Sequence, residues 1–388
     1  MERKIEVGIL ALNVIPDDKV NLHELVHAGK QIFDEKISRM VPVDTQFIEK
    51  DGTSMAPGET GYPVLDFVQV GLNEKTERQL AFLIIVTDAE VAAASLSYFL
   101  ALPSQLTNVS VISTRRLADY GSAELDDTAL MSDRLATLML QCFGRMLNLP
   151  YTSEGGNYMT KIEVPEDLDA LNAFTPTQYQ AIKKNLPKEA NDQFSDGSKP
   201  LFVFRHLVGN LSRIVRGAFR ANPFKIALKL PTMIATALSV IVILIFGAET
   251  WDFASAVTNT QLSIFAVTSF LAAGYLLYRS FSFNLVSTRN GKTSESAIVT
   301  AGATFLAILL TMIVLFLLFA GIMYSVVVFV FPDFLMDAWT STDRTSTTSD
   351  HIRLVVFLAA VGVLSGSLGG SADSRSVVRN VLFGQDET

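Results

Sequence analysis

Long apolar stretches fill the second half of this 388-residue chain, and they constrain its fold more than any other feature. A helix needs roughly 20 apolar residues to cross a bilayer. The third stretch continues apolar to Phe331 without a polar turn, which predicts one long helix rather than two crossings. Residues 225–388 are therefore predicted to form an all-α transmembrane domain with four spans, at about 226–248, 262–278, 297–321 and 352–370.

The predicted spans carry no ionisable side chain near their middle. Proton relays, ion-coupled transporters and intramembrane proteases need such groups at depth, so the spans look structural. Gly362, Gly366 and Gly370 recur every four residues, a spacing that lets another helix approach closely. They predict a contact face, through which the chain could form a homo-oligomer. A membrane transport or assembly factor with a regulatory soluble domain stays open as an alternative.

The short loops between the spans predict the orientation of the chain. Glu249 and Asp252 lie between the first two spans without a basic residue, whereas Arg279, Arg289 and Lys292 lie between the second and third. Because basic loops stay in the cytoplasm, this alternation predicts a multi-pass integral membrane protein with both termini cytoplasmic. The first 200 residues then lie in the cytosol, and the lipid bilayer is a predicted partner.

The first half of the chain alternates strand and helix patterns, which is typical of an α/β fold. Helical spacing of apolar residues predicts helices at 21–40 and 128–147. Runs rich in Val, Ile and Phe predict strands at 5–12, 46–49, 65–70, 80–87 and 108–113. The predicted fold is an α/β soluble domain at 1–185, followed by the all-α transmembrane domain.

Two segments connect the predicted domains. Residues 186–200 are rich in Pro, Gly, Ser and Asp and predict a linker. Residues 201–224 combine four arginines with apolar residues at helical spacing, which predicts a basic interfacial helix at the membrane surface.

Charge and cysteine content exclude several classes of protein. The chain has 31 Lys and Arg against 39 Asp and Glu, a net charge of −8, so no electrostatic argument favours nucleic acid as a partner. Its single cysteine, Cys142, excludes a disulfide scaffold and a Cys-rich zinc module.

The segment 138–159, LMLQCFGRMLNLPYTSEGGNYM, joins the end of a predicted helix to a turn. Its spacing resembles that of the metzincin metalloproteases. In those proteins an HExxH helix carries two zinc-binding histidines and the catalytic glutamate, and a third histidine follows a glycine turn. In the order His, Glu, His, Gly, His and Met-turn, the corresponding residues here are Gln141, Cys142, Arg145, Asn148, Tyr151 and Met159. The resemblance implies the fold without the zinc ligands or the catalytic acid.

Three upstream segments, ILALNVIPDD, AFLIIVTDAEV and NVSVISTRRLADY, resemble successive strands of the archaemetzincins, a branch of the metzincins. The resemblance covers about residues 4–160, under half of the chain. It implies a zincin-like cytosolic domain fused to the membrane domain. Archaemetzincins have further cysteines for a second zinc, and this chain has only Cys142.

These observations predict a membrane-anchored pseudo-metalloprotease without a cofactor. Its former substrate cleft would bind a protein or peptide, or serve a regulatory role. Arg145 would place a positive charge where the zinc lay, since residues four apart share a helix face. Whether Arg145 holds a carboxylate, such as that of Glu154 or Asp119, or reaches solvent stays open.

A literal HExxH motif, HELVH, lies at residues 23–27. On a helix His23 and His27 share one face, with Glu24 beside them. A third ligand would have to come from a residue such as Glu35, Glu49 or Glu59. An active zinc peptidase that uses this motif is therefore the alternative, and whether the chain is an enzyme is left open.

Overall fold

The computed structural model describes residues 5–15, 21–57, 61–92, 100–115, 117, 128–228, 230–280, 291–331 and 347–369. Predictions that concern Glu59, Asp119, Arg289 and Gly370 fall outside these ranges. The described residues form two compact units. Residues up to 210 and residues 291–300 form the α/β unit, and the rest of the described chain forms the helical unit.

A five-stranded sheet forms the centre of the α/β unit, with the strand order β2-β1-β4-β7-β6. Strand β6 is antiparallel to β7, and the other neighbours are parallel. The five strands are β1 (Ile5–Asn13), β2 (Val43–Asp51), β4 (Phe82–Thr87), β6 (Ala101–Ser104) and β7 (Val109–Ser113). Two short strands, β3 (Tyr62–Pro63) and β5 (Val91–Ala92), pair separately.

Helices cover both faces of this sheet. Helices α1 (Leu22–Ser38) and α3 (Thr128–Met146) share one hydrophobic core with the first face. Phe143 of α3 lies at the centre of that core, with ring centroids 6.1 Å from Phe33 and 5.4 Å from Phe82. The predicted α/β class is confirmed, with both long helices close to their predicted bounds.

Helix α2 (Val64–Arg78) packs on the other face, and here the sequence prediction of a strand at 65–70 is wrong. The segment is rich in Val, which favours a strand. Its buried residues Val64, Phe67, Val68 and Leu72 nevertheless follow the spacing of one helix face. Gly71 lies so close to the sheet that an added Cβ would be 2.7 Å from the Val109 side chain.

The α/β unit extends beyond the predicted boundary at residue 185. A 3-10 helix (Pro165–Ala170), α4 (Pro176–Glu189), β8 (Phe194–Asp196) and α5 (Pro200–Gly209) follow α3. Strand β8 pairs antiparallel with β9 (Lys292–Ser294). The segment 186–200, predicted as a linker, therefore contains regular structure. The sequence pattern did not predict strand β8, because its pairing partner lies about one hundred residues later in the chain.

The predicted interfacial helix at 201–224 is divided among α5, α6 and α7. The helical unit begins at residue 211. Its elements are α6 (Leu211–Arg220), α7 (Pro223–Leu228), α8 (Pro231–Ile245), α9 (Ala248–Ala256), α10 (Asn259–Ser280), the part of α11 (Glu295–Phe329) that follows residue 300, and α12 (Thr348–Gly369). In the described part of the chain, α10, α11 and α12 are long and apolar enough to cross a membrane. Helix α11 is one continuous helix, as predicted.

The first predicted span, 226–248, covers the end of α7 and all of α8, which ends at Ile245. Helices α8 and α9 meet at an angle of 86°. Gly247 between them has an extended backbone, and the indole Nε1 of Trp251 donates a hydrogen bond of 2.6 Å to the carbonyl of Ile245. The pair counts as a fourth candidate span only if both helices are taken together.

Gly362 and Gly366 mark a close approach between two helices of the helical unit. An added Cβ at Gly362 would lie 2.5 Å from Ile241, and one at Gly366 would lie 2.9 Å from the carbonyl oxygen of Met233. Both neighbours belong to α8. At Gly362 and Gly366 this face packs against α8 of the same chain, and a homo-oligomer through it stays a prediction.

Candidate functional site

The candidate site begins where α3 ends in a left-handed turn. Asn148 has a φ of +64°, in agreement with the turn predicted at this residue. The amides of Asn148 and Leu149 donate to the carbonyls of Arg145 and Gly144, at 2.9 and 3.1 Å. The chain then returns beneath the helix, so that an added Cβ at Gly144 would lie 2.7 Å from the sulfur of Met159.

Arg145 and Tyr151 lie together at this turn. The guanidinium carbon of Arg145 is 4.3 Å from the ring centroid of Tyr151, a cation–π arrangement. Its Nη1 donates a hydrogen bond of 2.8 Å to the carbonyl of Leu149. The side chain is 5% exposed, so the solvent-facing alternative for Arg145 is not what the structure has.

Gln141 and Cys142 lie one turn earlier on α3, and both are buried. The amide Nε2 of Gln141 donates a hydrogen bond of 2.7 Å to the carbonyl of Thr160, next to Met159. Cys142 lies among the apolar residues of the core. Gln141, Arg145 and Tyr151 therefore form a cluster at this turn, in which the side chains of Gln141 and Arg145 donate to backbone carbonyls.

These side chains do not fit a zinc ion. Zinc in proteins is held by imidazole nitrogen, thiolate or carboxylate. Gln141 supplies an amide that is already bound to a carbonyl, and Arg145 supplies a cation that keeps its proton. Across the described ranges, no three His, Cys, Asp or Glu side chains lie close enough together to hold a metal.

The HELVH motif lies on α1, where His23, Glu24 and His27 are exposed. The two imidazoles share one helix face, as predicted, with ring centroids 6.3 Å apart. Both pack edge-on against Phe47 of β2, at 5.3 and 6.0 Å. Of the glutamates considered as a third ligand, Glu49 has Oε2 4.0 Å from Nε2 of His23.

A buried ion pair elsewhere in the α/β unit was not predicted from the sequence. Lys75 of α2 and Asp192, just before β8, have side chains 0% and 2% exposed, with Nζ and Oδ2 2.7 Å apart. Lys75 also donates to Ser296 Oγ at 2.9 Å, and Ser296 donates to Asp192 at 2.8 Å. We call these three residues the Lys75 cluster.

The surroundings of Asp192 favour its ionised form. Burial by itself would raise the pKa of Asp192, but the positive charge of Lys75 and hydrogen bonds from Lys75 and Ser296 lower that pKa below its ordinary value. The backbone amide of Ser296 also donates to Asp192, at 3.2 Å. Asp192 therefore caps the first turn of α11.

Further contacts fix the same turn within the α/β unit. The Glu295 carboxylate accepts a hydrogen bond of 2.7 Å from Asn210 and lies 3.3 Å from Nδ1 of His206. The hydroxyl of Thr300 donates to the carbonyl of Leu106 at 3.3 Å. No local sequence pattern predicts the Lys75 cluster, because Lys75 lies 117 residues from Asp192 and 221 from Ser296.

Comparison with known proteins gives low similarity, and it is confined to solved structures. No protein-family model and no curated protein matches this sequence. Archaemetzincin from Methanopyrus kandleri matches at a TM-score of 0.38 and 14% identity, over 47% of this chain and 96% of its own. Archaemetzincin from Archaeoglobus fulgidus, complexed with malonate, matches at 0.35 and 14%, over 46% and 100%.

A zinc-dependent peptidase from Methanocorpusculum labreanum is similar at the same level, with a TM-score of 0.37 and 13% identity over 45% of this chain and 99% of its own. The N-terminal α/β domain thus resembles archaemetzincins. At these values the likeness extends to no activity and to no site residue of this chain.

Proposed function

We propose that this chain is a membrane-anchored pseudo-metalloprotease, whose α/β unit is a non-catalytic regulatory module on the cytosolic face. The observation that carries the proposal is the contact of Arg145 with Tyr151. At the end of α3, where the resemblance would have a zinc site, a buried cation lies over an aromatic ring. That arrangement repels a second cation.

The chemistry of the cluster supports a non-catalytic role. Peptide hydrolysis needs an activated water and a group that takes up its proton. The amide of Gln141 and the guanidinium of Arg145 both donate to backbone carbonyls, and neither accepts a proton at neutral pH. The cluster therefore stabilises the turn instead of presenting a reactive group.

The make-up of the α/β unit supports anchoring by an even number of spans. Residues up to 210 and residues 291–300 belong to one unit. A compact unit lies on one side of a membrane, so the intervening chain must cross an even number of times. If α10 crosses, then the bent pair α8–α9 also crosses rather than returning to its own side. With α11 and α12, the proposed total is four spans with both termini cytoplasmic.

The Lys75 cluster supports a regulatory role for the α/β unit. It ties α2 and the segment before β8 to the first turn of α11, a 35-residue apolar helix. A protein or peptide that binds the α/β unit would therefore act on the element that begins this helix. Residues 295–300 of the α/β unit are also the first residues of α11, so the chain itself is the proposed route of regulation.

Metal analysis of the full-length protein in detergent tests the absence of zinc chemistry. We expect far less than one zinc per chain and no peptidase activity, both in the wild type and in the His23→Ala variant. Glu24→Gln is the matched control, because it leaves both histidines in place. Near-stoichiometric zinc that is lost in His23→Ala, with activity lost in Glu24→Gln, would establish the peptidase alternative instead.

Restoring ligands tests whether the backbone is that of a former metal site. We expect the combined change Gln141→His, Arg145→His and Tyr151→His to give about one zinc per chain, since ligand geometry is set mainly by the backbone. Gln141→His alone is the control and should bind none. A folded triple variant without zinc would remove the pseudo-metalloprotease interpretation.

Topology is tested separately. A reporter fused after Thr388 should read as cytoplasmic, and the protein should stay in membranes after alkaline carbonate extraction. An exterior reporter would contradict the even number of spans.

A further inference from the structure

Helices α6 and α7 give the helical unit a surface that is both basic and apolar. Two large aromatic side chains, Phe219 and Phe224, are 63% and 68% exposed. Four basic side chains are exposed beside them. We call this set the α6–α7 surface: Arg213, Arg216, Phe219, Arg220, Phe224 and Lys225.

The residues of α6 are sorted by helix face. Ile214 and Ala218, four residues apart, are buried, and Ala218 belongs to the hydrophobic core of the helical unit. Arg213, Arg216 and Arg220 follow the i, i+3, i+7 spacing of a single face, which lies roughly opposite the buried one. Phe219 falls between these two faces. The arginines and Phe219 thus lie on neighbouring faces of α6.

The charge of this part of the chain has one sign. No acidic residue occurs in the sequence between Asp196 and Glu249. Each guanidinium offers a planar fork of donors that matches two oxygens of a phosphate group. The segment therefore fits a ligand that carries negative charge on phosphate.

The exposed aromatic rings distinguish a lipid headgroup from a soluble anion. A soluble phosphate leaves Phe219 and Phe224 in water, whereas the boundary between headgroups and acyl chains accepts aromatic rings beside phosphates. The next element along the chain is α8, at the beginning of the first predicted span. Chain continuity thus places the surface next to a membrane entry point.

We propose that the α6–α7 surface binds the headgroups of acidic phospholipids, with Phe219 and Phe224 at the acyl boundary and the arginines on lipid phosphates. This inference rests on the proposed membrane anchoring and goes beyond it, because anchoring alone requires no preference for lipid charge.

Retention of lipid by the purified full-length protein tests the inference. Protein in detergent is incubated with equal amounts of phosphatidylglycerol and phosphatidylcholine, separated by size exclusion, and its lipids are counted by mass spectrometry. We expect the wild type to retain phosphatidylglycerol preferentially. Arg213→Gln, Arg216→Gln and Arg220→Gln together should lower the preference by roughly fivefold or more, since each basic residue near an anionic surface contributes about that factor.

Three further variants keep this result interpretable. Lys183→Gln, Lys184→Gln and Lys188→Gln remove three exposed charges from α4 of the α/β unit, and they should leave the preference unchanged. Arg213→Lys, Arg216→Lys and Arg220→Lys keep the charge and should keep most of the preference. Phe219→Ser with Phe224→Ser should lower retention of both lipids.

Several outcomes would overturn the inference. These are an unchanged preference in the arginine-to-glutamine variant, an equal loss in the lysine control, or displacement of the bound lipid by soluble glycerol phosphate. Carbonate extraction separates this result from the proposed function. A protein that stays integral but shows no lipid preference contradicts only the lipid surface, whereas a protein that is extracted contradicts the anchoring itself.

Discussion

The ammonium group of Lys75 lies 2.7 Å from the carboxylate of Asp192, and both side chains are almost completely buried. The pair joins α2 to the segment before β8, and Ser296 extends it to the first turn of α11. Removing one partner would leave an uncompensated charge inside the protein. The α/β unit therefore depends on residues that the sequence places on either side of two predicted spans.

Lys75→Met should destabilise the α/β unit by about 3 to 5 kcal/mol, because it leaves Asp192 buried without its counter-charge. The double variant Lys75→Met with Asp192→Leu should recover most of the loss. Cys142, the single and fully buried cysteine, provides the measurement, since its labelling by a thiol reagent under increasing urea reports unfolding of this unit.

Lys50→Met is the matched control for that experiment. Lys50 pairs with Glu74 but is 43% exposed, so its replacement should cost no more than about 1 kcal/mol. Equal labelling curves for Lys75→Met and Lys50→Met would show that the buried pair has no special importance for the unit.

Acid should weaken the contribution of Asp192 in the wild type. Its folded pKa is lowered below the ordinary value of 3.8, so the stability that it contributes is fully present above that pH. The contribution is lost as the pH falls further, through the folded pKa. Above about pH 5 the wild-type stability should therefore be insensitive to this carboxyl group.

In Lys75→Met the pKa of Asp192 should shift upward instead of downward, because the carboxyl group is buried without a counter-charge. Protonation then relieves the buried charge, and the variant gains stability relative to the wild type as the pH falls from about 7 to about 4. The labelling difference between the two proteins should shrink over this range. A constant difference would mean that Asp192 stays ionised in the variant.

Arg145→Gln should cost about 2 to 4 kcal/mol. The change removes a charge-assisted hydrogen bond to the carbonyl of Leu149 and the cation–π contact with Tyr151, both in a buried setting. Arg39→Gln, at the exposed arginine that directly follows α1, is the control and should change stability by under about 0.5 kcal/mol. Similar values for the two variants would leave Arg145 without a structural role.

Much of the candidate site was predictable because its determinants are local. The left-handed turn at Asn148 follows from residue type and from its place after a helix, and φ is +64°. The burial of Arg145 was not predictable, since an arginine in the last turn of a helix usually reaches solvent. Its partner Tyr151 is six residues away, beyond one turn, and the helical period gives no reason to pair them.

The elements of the fold also differ in whether a local sequence pattern predicts them. Strand β1, helix α1 and the long helix α11 each follow from a pattern within their own residues. The pairing of β8 with β9, and with it the place of residues 291–300 in the α/β unit, depends on contacts across about one hundred residues. The 86° bend between α8 and α9 was not predicted either, because the sequence pattern marks only where the apolar run ends, before Glu249 and Asp252.

Asn148→Ala should destabilise the α/β unit by about 1 kcal/mol, whereas Asn148→Gly should be neutral within about 0.5 kcal/mol. Alanine pays a steric cost at positive φ that glycine does not. The Asn148 side chain is exposed, so the pair of substitutions isolates the backbone effect. Cys142 labelling gives both values, and equal losses for Ala and Gly would point to a side-chain interaction instead.

Gly366→Ala should lower the thermal stability of the helical unit, because the added Cβ would lie 2.9 Å from the backbone carbonyl oxygen of Met233, which cannot rotate away. Overpacking of this kind costs about 1 to 3 kcal/mol. Gly321→Ala in α11 is the matched control, since an added Cβ there meets no atom within 4 Å, and better helix propensity should stabilise it slightly. Thermal unfolding in detergent, followed by intrinsic tryptophan fluorescence, compares the two variants in the full chain. If both variants melt at the wild-type temperature, the close approach of α12 to α8 is absent in solution, and the glycine face becomes available to a second copy of the chain.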